Sequence, residues 1–405
     1  MKRGVRILAP ETVYISDDVN PERISSEGVT IYPGCSLRGG KTLVMHGVKL
    51  GQEAAVTVED CQIGPQVELK GGFFRRSVFF HGSNMGLGAH VRDACILEEE
   101  ASCAHTVGLK QTILFPFVTL GSLINFCDCL MAGGTSRKNH SEVGSSYIHF
   151  NFTPNQDKAT ASLIGDVPCG VMLDQRPIFL GGQGGLVGPA VIGYGTVIAA
   201  GVVFRGDLRE GRQIISSSQC SPAQKEFVPG LIMKAKEKVI KNIAYVANLI
   251  ALKAWYTHVR FLFAGSEPLD EALLEGAVEK LDMAIDERIA RLGGFVDKIP
   301  ESLILHNGAA GKLMPPAAIS QQEELHKKWS VMAETLKSHR SYSGHDQTRE
   351  GFLSLINKDL QPKSADYTTV IRNLPEATRK IGTVWLREVV DEITTKVLEF
   401  FPSSR

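Results

Sequence analysis

Two patterns of apolar spacing divide the chain. Up to about residue 208 the hydrophobic positions come in short, glycine-punctuated runs rich in Val, Ile and Phe, with no long stripe at 3.6-residue spacing; after residue 216 they recur at helical spacing. Segments starting at Asp60, Ser77, Ala94, Thr112 and Leu130 place Cys61, Val78, Cys95, Ile113 and Met131 one position along. The first four place Ile63, Phe80, Leu97 and Phe115 three positions along. An apolar column repeating every 17 or 18 residues is what a solenoid requires, because each coil stacks its core residue on the coil below.

Six-residue units reinforce the register. They begin at Leu50-Gly51, Ile63-Gly64, Leu97-Glu98, Ile164-Gly165, Ile192-Gly193 and Ile198-Ala199. The aliphatic residue fills the interior of a prism, and a small residue fits where the backbone turns its corner. The pattern predicts a left-handed β-helix of hexapeptide coils from about Cys35 to Leu208, followed by an all-α C-terminal domain. The expected division is 1–34 as a lead-in, 35–215 as β-helix and 216–405 as helical domain, with Ser216–Pro222 as the punctuation between the last two.

Helices are expected from near Lys225 and over Leu269–Leu292, Ser320–Leu336, Arg349–Ile356 and Leu374–Phe400, with Asp270, Ser320 and Asn373 as N-caps. Ile243, Val246, Ile250 and Trp255 form an apolar face suited to capping the β-helix end or extending an interface. The run Lys234–Lys241 reads as a solvated helix face. No catalytic motif stands in this half, so a packing or assembly role is expected for it.

Charge removes several classes of function. Lys+Arg and Asp+Glu both total 44, which leaves no net field to draw in nucleic acid. The N-terminus lacks an apolar run of signal-peptide length, and Ile243–Trp255 is too short to span a bilayer. Eight cysteines without a C-x-x-C pair read as free thiols of a cytoplasmic protein.

The stretch Asn125–His140 (NFCDCLMAGGTSRKNH) resembles one coil of the glucosamine-1-phosphate acetyltransferase half of the bacterial bifunctional enzyme that makes UDP-N-acetylglucosamine. In that family an Asn-Phe-x-acid segment is followed by a Ser-Lys-x-Asn-His string. Here the pieces are Asn125, Phe126 and Asp128, then Ser136, Arg137 in the lysine's place, Lys138, Asn139 and His140. Asn151-Phe152 and Asp157-Lys158 are similar to the family's Asn-Tyr-Asp-Gly loop with its trailing lysine, and Leu186–Asp207 looks like its last coils. The overlap runs from Ile124 to Asp207. Asn151 follows His140 by 11 residues, most of a coil less than in the family, Val171–Gly185 departs from the family's coil, and no uridylyltransferase-like domain is expected ahead of the repeats.

The resemblance implies an acyl-CoA-dependent N-acyltransferase acting on an amino-sugar phosphate, with acetyl-CoA as co-substrate, and a homotrimer with its sites between protomers. Acyl transfer to an amine needs a base, donors for the thioester oxygen and an oriented nucleophile. His140 suits the base. Arg137, Lys138 and Lys158 would hold the sugar phosphate, and Asn151 would orient the sugar. Ala199, Ala200 and Arg205 resemble the coenzyme A contacts. No metal is expected, since His81, His90 and His105 do not share a coil phase. The alternative is a non-catalytic β-helix that binds a sugar nucleotide or serves as a scaffold.

Overall fold

The computed structural model describes residues 4–216, 227–265, 268–308, 314–359 and 366–401. Within its first part nearly all strand pairing is parallel, each strand matched with its counterpart one coil on. The result is a β-solenoid with three faces. Face A is an 11-stranded sheet from Arg6–Ile7 to Ile214–Ile215. Face B runs from Tyr14–Ile15 to Val203–Arg205, and face C from Leu43–Val44 to Val191–Ile192. Strands Val107–Leu114 and Ile124–Met131 bend from face B into face C at Gln111 (φ 52°) and Asp128 (φ 61°).

Coiling starts ahead of Cys35: Arg6 pairs with Thr30, and Tyr14 with Ser36. The early corners carry 3-10 turns at Pro10–Thr12 and Pro21–Arg23, which lengthen those coils and hide them from a fixed-period reading. The repeat column also slips. Ile63 pairs with Phe79 rather than Phe80, and Leu97 with Leu114 rather than Phe115. On face C both choices look apolar, because its strands are buried on both sides. Val78 and Phe79, Ile96 and Leu97, and Leu130 and Met131 are all buried, whereas strands of face B such as Ala89–Arg92 alternate buried and exposed.

The second layer on face C is the helical half. After the single turn α1 (Val167–Gly170) inside the solenoid come α2 (Ala235–His258), α3 (Pro268–Val296), α4 (Ile299–Gly308), α5 (Pro316–Ser338), α6 (Asp346–Asp359), α7 (Tyr367–Asn373) and α8 (Glu376–Leu398). Helix α3 lies on the face C strands Leu43–Val44, Gln62–Ile63 and Val78–Phe79, and α2 lies on Ser162–Ile164. Gly276 permits this seating: a Cβ there would come within 2.6 Å of Gln62, so the ~1 kcal/mol cost of a mid-helix glycine is offset by close approach.

Helix α2 is buried almost all round, so Ile243, Val246, Ile250 and Trp255 neither cap the solenoid end nor extend an outer interface. They face the solenoid flank and the other helices, with the Trp255 ring 5.8 Å from Phe352 and 6.4 Å from Trp385. The expected start near Lys225 lies outside the described residues. The expected caps also shift: Asp270 sits in the first turn of α3, Ser320 lies within α5, and Asn373 ends α7, with Pro375 heading α8. The Lys234–Lys241 run is a solvated face only in part: Lys234 and Glu237 are exposed. Lys238 pairs with buried Asp157 at 2.9 Å and Lys241 with Asp207 at 2.8 Å, both across to the solenoid. Among the described residues no helix is long and apolar enough to cross a membrane.

Candidate functional site

Two insertions break the regular coils, between Thr119 and Glu142 and between Glu142 and Phe179 on face A. The first is an antiparallel hairpin of Gly134–Ser136 and Asn139–His140, at the edge where face C turns into face A. Its base is closed by Ser141, whose hydroxyl donates to the Ala132 carbonyl at 2.9 Å and accepts from the Ile178 amide at 2.8 Å. Gly134 (φ 100°) fits because a Cβ would fall 2.6 Å from the His140 Cα.

His140 sits half-buried in this hairpin. Its Nδ1 lies 2.8 Å from the Arg137 carbonyl oxygen, which can only accept, so Nδ1 carries the hydrogen of the neutral ring. In that neutral form Nε2 is the nitrogen with the lone pair; it lies 3.7 Å from the Glu142 carboxylate, which pairs with it only when the ring is protonated. The Arg137 guanidinium turns back onto the solenoid instead, donating to the carbonyls of Glu100 (3.1 Å) and Phe117 (3.0 Å) and to the Thr119 hydroxyl (2.9 Å). Lys138 is exposed.

The second insertion carries the other sugar-site candidates, at the edge between faces B and C. Asn151 donates to Asp128 at 2.8 Å, and Asp128 pairs with Arg288 of α3 at 2.7 Å. Asn155 accepts from the Gly230 amide (3.0 Å) and donates to the Leu231 carbonyl (2.9 Å), while Lys298 donates to its backbone carbonyl (2.7 Å). Lys158 is half-buried next to Asp157, which Lys238 holds. This loop is a clasp for the helical half.

Ala199 and Ala200 follow the face A strand Val197–Ile198, at the edge between faces A and B, and Arg205 ends the last face B strand, exposed. The sequence-predicted residues therefore occupy three edges of one prism. His140, Arg137 and Lys138 come together; Asn151 and Lys158 lie on a second edge, and Ala199 and Ala200 on a third. His81, His90 and His105 are likewise separated, His90 on face B and the others at different corners. His149 is buried within the solenoid, its Nδ1 2.5 Å from the Cys127 carbonyl and its Nε2 2.8 Å from the Ser162 hydroxyl. Burial holds its pKa below the ordinary histidine value, which fits a neutral core residue.

Between the hairpin and α7 lies a groove that the sequence did not reveal. A cavity of about 420 Å³ is lined by Ser136, Arg137, Lys138, His81, Arg372 and Thr368, together with Glu99, Glu100 and Asp366. A neighbouring cavity of about 210 Å³ shares His81, Glu99 and Asp366 and is otherwise mainly apolar. Burial works to raise the Asp366 carboxyl, but hydrogen bonds from Thr368 and Thr369, with His81 nearby, outweigh it and hold the pKa below the usual value. Glu99 is paired with Arg260, whose guanidinium lies over the Tyr367 ring at 3.8 Å and the Phe80 ring at 4.5 Å. Arg372 donates to the Thr135 carbonyl at 3.3 Å, tying α7 to the hairpin. Residues so distant in sequence leave no local motif.

No protein-family model matches the chain. It is 27% identical over 212 residues to the bifunctional protein GlmU of Thermus thermophilus, covering 52% of this chain and 41% of that one. The bifunctional protein GlmU of Trichlorobacter lovleyi is 27% identical over 209 residues, 51% of this chain and 40% of its own. That of Thermotoga maritima is 25% identical over 233 residues, 56% and 47% respectively. The chain spans less than half the length of these relatives, and with its parallel β-solenoid it is similar to the bifunctional GlmU proteins over about half of its own length.

Proposed function

We propose that this protein is an N-acyltransferase for a phosphorylated amino sugar, using acetyl-CoA, with a site completed between protomers of a homotrimer. The similarity to bifunctional GlmU proteins supports a sugar-phosphate or sugar-nucleotide substrate class. The observation that carries the chemistry is the 2.8 Å contact of His140 Nδ1 with the Arg137 carbonyl. With its Nδ1–H anchored on the Arg137 carbonyl, Nε2 keeps its lone pair, as a general base requires. The base would take the proton of the attacking amine as the carbon–nitrogen bond to the acyl group forms and the coenzyme A thiolate leaves. Lys138 is the hairpin cation that would meet the sugar phosphate, with Arg137 beside it engaged to two carbonyls and a hydroxyl through Nη1 alone. Ala199, Ala200 and Arg205 lie on other edges of the prism, so the same residues of a neighbouring protomer would hold the coenzyme beside His140.

A second reading, a non-catalytic binder of sugar nucleotides, is favoured by the engagement of Asn151 with Asp128 rather than with an open site. A thiol-release assay with acetyl-CoA and glucosamine 1-phosphate, run beside light scattering, separates the two. Thiol release by a trimer supports the enzyme. A monomer that binds the sugar but releases no thiol supports the binder.

A further inference from the structure

We propose that the groove between the hairpin, the solenoid edge and α7 is a binding site for a nucleoside diphosphate unit, a site that does not use His140 and shares only Lys138 with the proposed acyl-transfer site. The groove has two compartments that join at His81, Glu99 and Asp366. The outer one carries Lys138 from the hairpin and Arg372 from α7, with His81 at the junction. Of the carboxylates around them, Glu99 is neutralised by two hydrogen bonds from Arg260, and Asp366 accepts from the Thr368 hydroxyl and the Thr369 amide. Glu100 is also on the wall, with its backbone carbonyl accepting from Arg137. Two cations from different elements lining one open cleft suit a diphosphate, which offers several oxygens.

The inner compartment has a different chemistry. Pro65, Phe80, Phe263, Leu273 and Leu274 line it, with Asp270 at its wall. Apolar and aromatic walls accept the faces of a planar base. The two cavities, about 420 and 210 Å³, together fall in the range of small-molecule sites, roughly 300–1,000 Å³. Inorganic phosphate would leave the inner compartment empty, and a nucleoside without phosphate would leave the cations unmet. The ligand class is therefore one with both parts. It is present in a sugar nucleotide and also in coenzyme A.

The site is tested by calorimetric titration of the full chain with uridine diphosphate, adenosine diphosphate, coenzyme A, uridine and pyrophosphate. At least one nucleoside diphosphate should bind at least tenfold more tightly than both uridine and pyrophosphate, and competition between coenzyme A and uridine diphosphate shows which source the groove prefers. Lys138→Ala and Arg372→Ala should each weaken that binding about tenfold, a loss of ~1.4 kcal/mol. Phe263→Ala should weaken nucleotide binding without changing pyrophosphate binding. His140→Ala should leave both unchanged, so failed acyl transfer and a failed nucleotide site remain distinguishable. Pyrophosphate binding as tightly as the nucleotides, no binding at millimolar concentration, or full affinity in a folded Arg372→Ala protein overturns the proposal.

Discussion

Asp128 and Arg288 meet 2.7 Å apart where the solenoid touches α3, both almost fully buried. Asp128 stands at the bend of strand Ile124–Met131 with φ 61°, so its own backbone turn brings the carboxylate to the helical half. The Arg288 Nε and Nη1 atoms have no hydrogen-bond partner, which makes Asp128 the principal compensation for a buried guanidinium. Removing one member of such a pair strands the other. Asp128→Ala should therefore destabilise the protein by about 3–5 kcal/mol, read as a lower urea midpoint. An unchanged midpoint would mean that the two halves are held together elsewhere.

Asn151 hangs on the same carboxylate, donating to its second oxygen at 2.8 Å. This hydrogen bond ties down the clasp loop. Asn151→Ala should cost roughly 1.5–3 kcal/mol, as for a hydrogen bond to a charged group, with the affinity for glucosamine 1-phosphate unchanged. A weakened sugar affinity in a protein of normal stability would restore the binding role.

Glu98 makes the interface sensitive to pH. It is buried, its carboxyl 2.6 Å from the Tyr256 hydroxyl of α2 and beside the Glu99–Arg260 pair. Burial pushes its pKa from 4.5 to about 7, with Arg260 and the Tyr256 hydrogen bond opposing and Glu99 reinforcing the rise. The folded protein thus keeps a proton that the unfolded chain releases. The associated stabilisation is complete below pH 4.5 and is lost as pH rises through about 7. Glu98→Gln cannot ionise. Between pH 5 and 8 the melting temperature of wild type should fall relative to Glu98→Gln, by about 2–4 °C for each ~1 kcal/mol of proton linkage. Parallel pH profiles for the two proteins would show that Glu98 does not titrate in this range.

The coil period between Asp60 and Leu130 was legible because each coil stacks like residues on like. The hairpin was legible as chemistry because Ser136, Arg137, Lys138, Asn139 and His140 are contiguous. The helical cover was not read, though one signal existed. Face C runs such as Ile113-Leu114, Cys129–Met131 and Ser162–Ile164 are buried on both sides, and strands apolar on both sides mark a sheet covered on both faces. The true start of the solenoid was hidden by the turns at Pro10 and Pro21. The groove was hidden more deeply: Lys138 and Arg372 line one cavity because tertiary packing brings α7 to the hairpin, where Arg372 reaches the Thr135 carbonyl.

The hairpin gives the sharpest test of the catalytic reading. Its geometry fixes one nitrogen of His140 on a backbone carbonyl and leaves the other with its lone pair, an arrangement that serves a base and also serves a loop histidine with no reaction to perform. Two substitutions separate these roles. His140→Ala removes the base but leaves Gly134 and the hairpin backbone their conformations, so turnover of glucosamine 1-phosphate should fall roughly 10²–10⁴-fold with the melting temperature nearly unchanged. Gly134→Ala keeps the imidazole but places a methyl group 2.6 Å from the His140 Cα at a φ of 100°, so the ring must move. A base acting from a defined position should lose turnover in both variants, and in Gly134→Ala the loss should come with a lower melting temperature. If His140→Ala releases thiol from acetyl-CoA as fast as wild type, the imidazole takes no part in acyl transfer and the hairpin is a structural element of the groove wall.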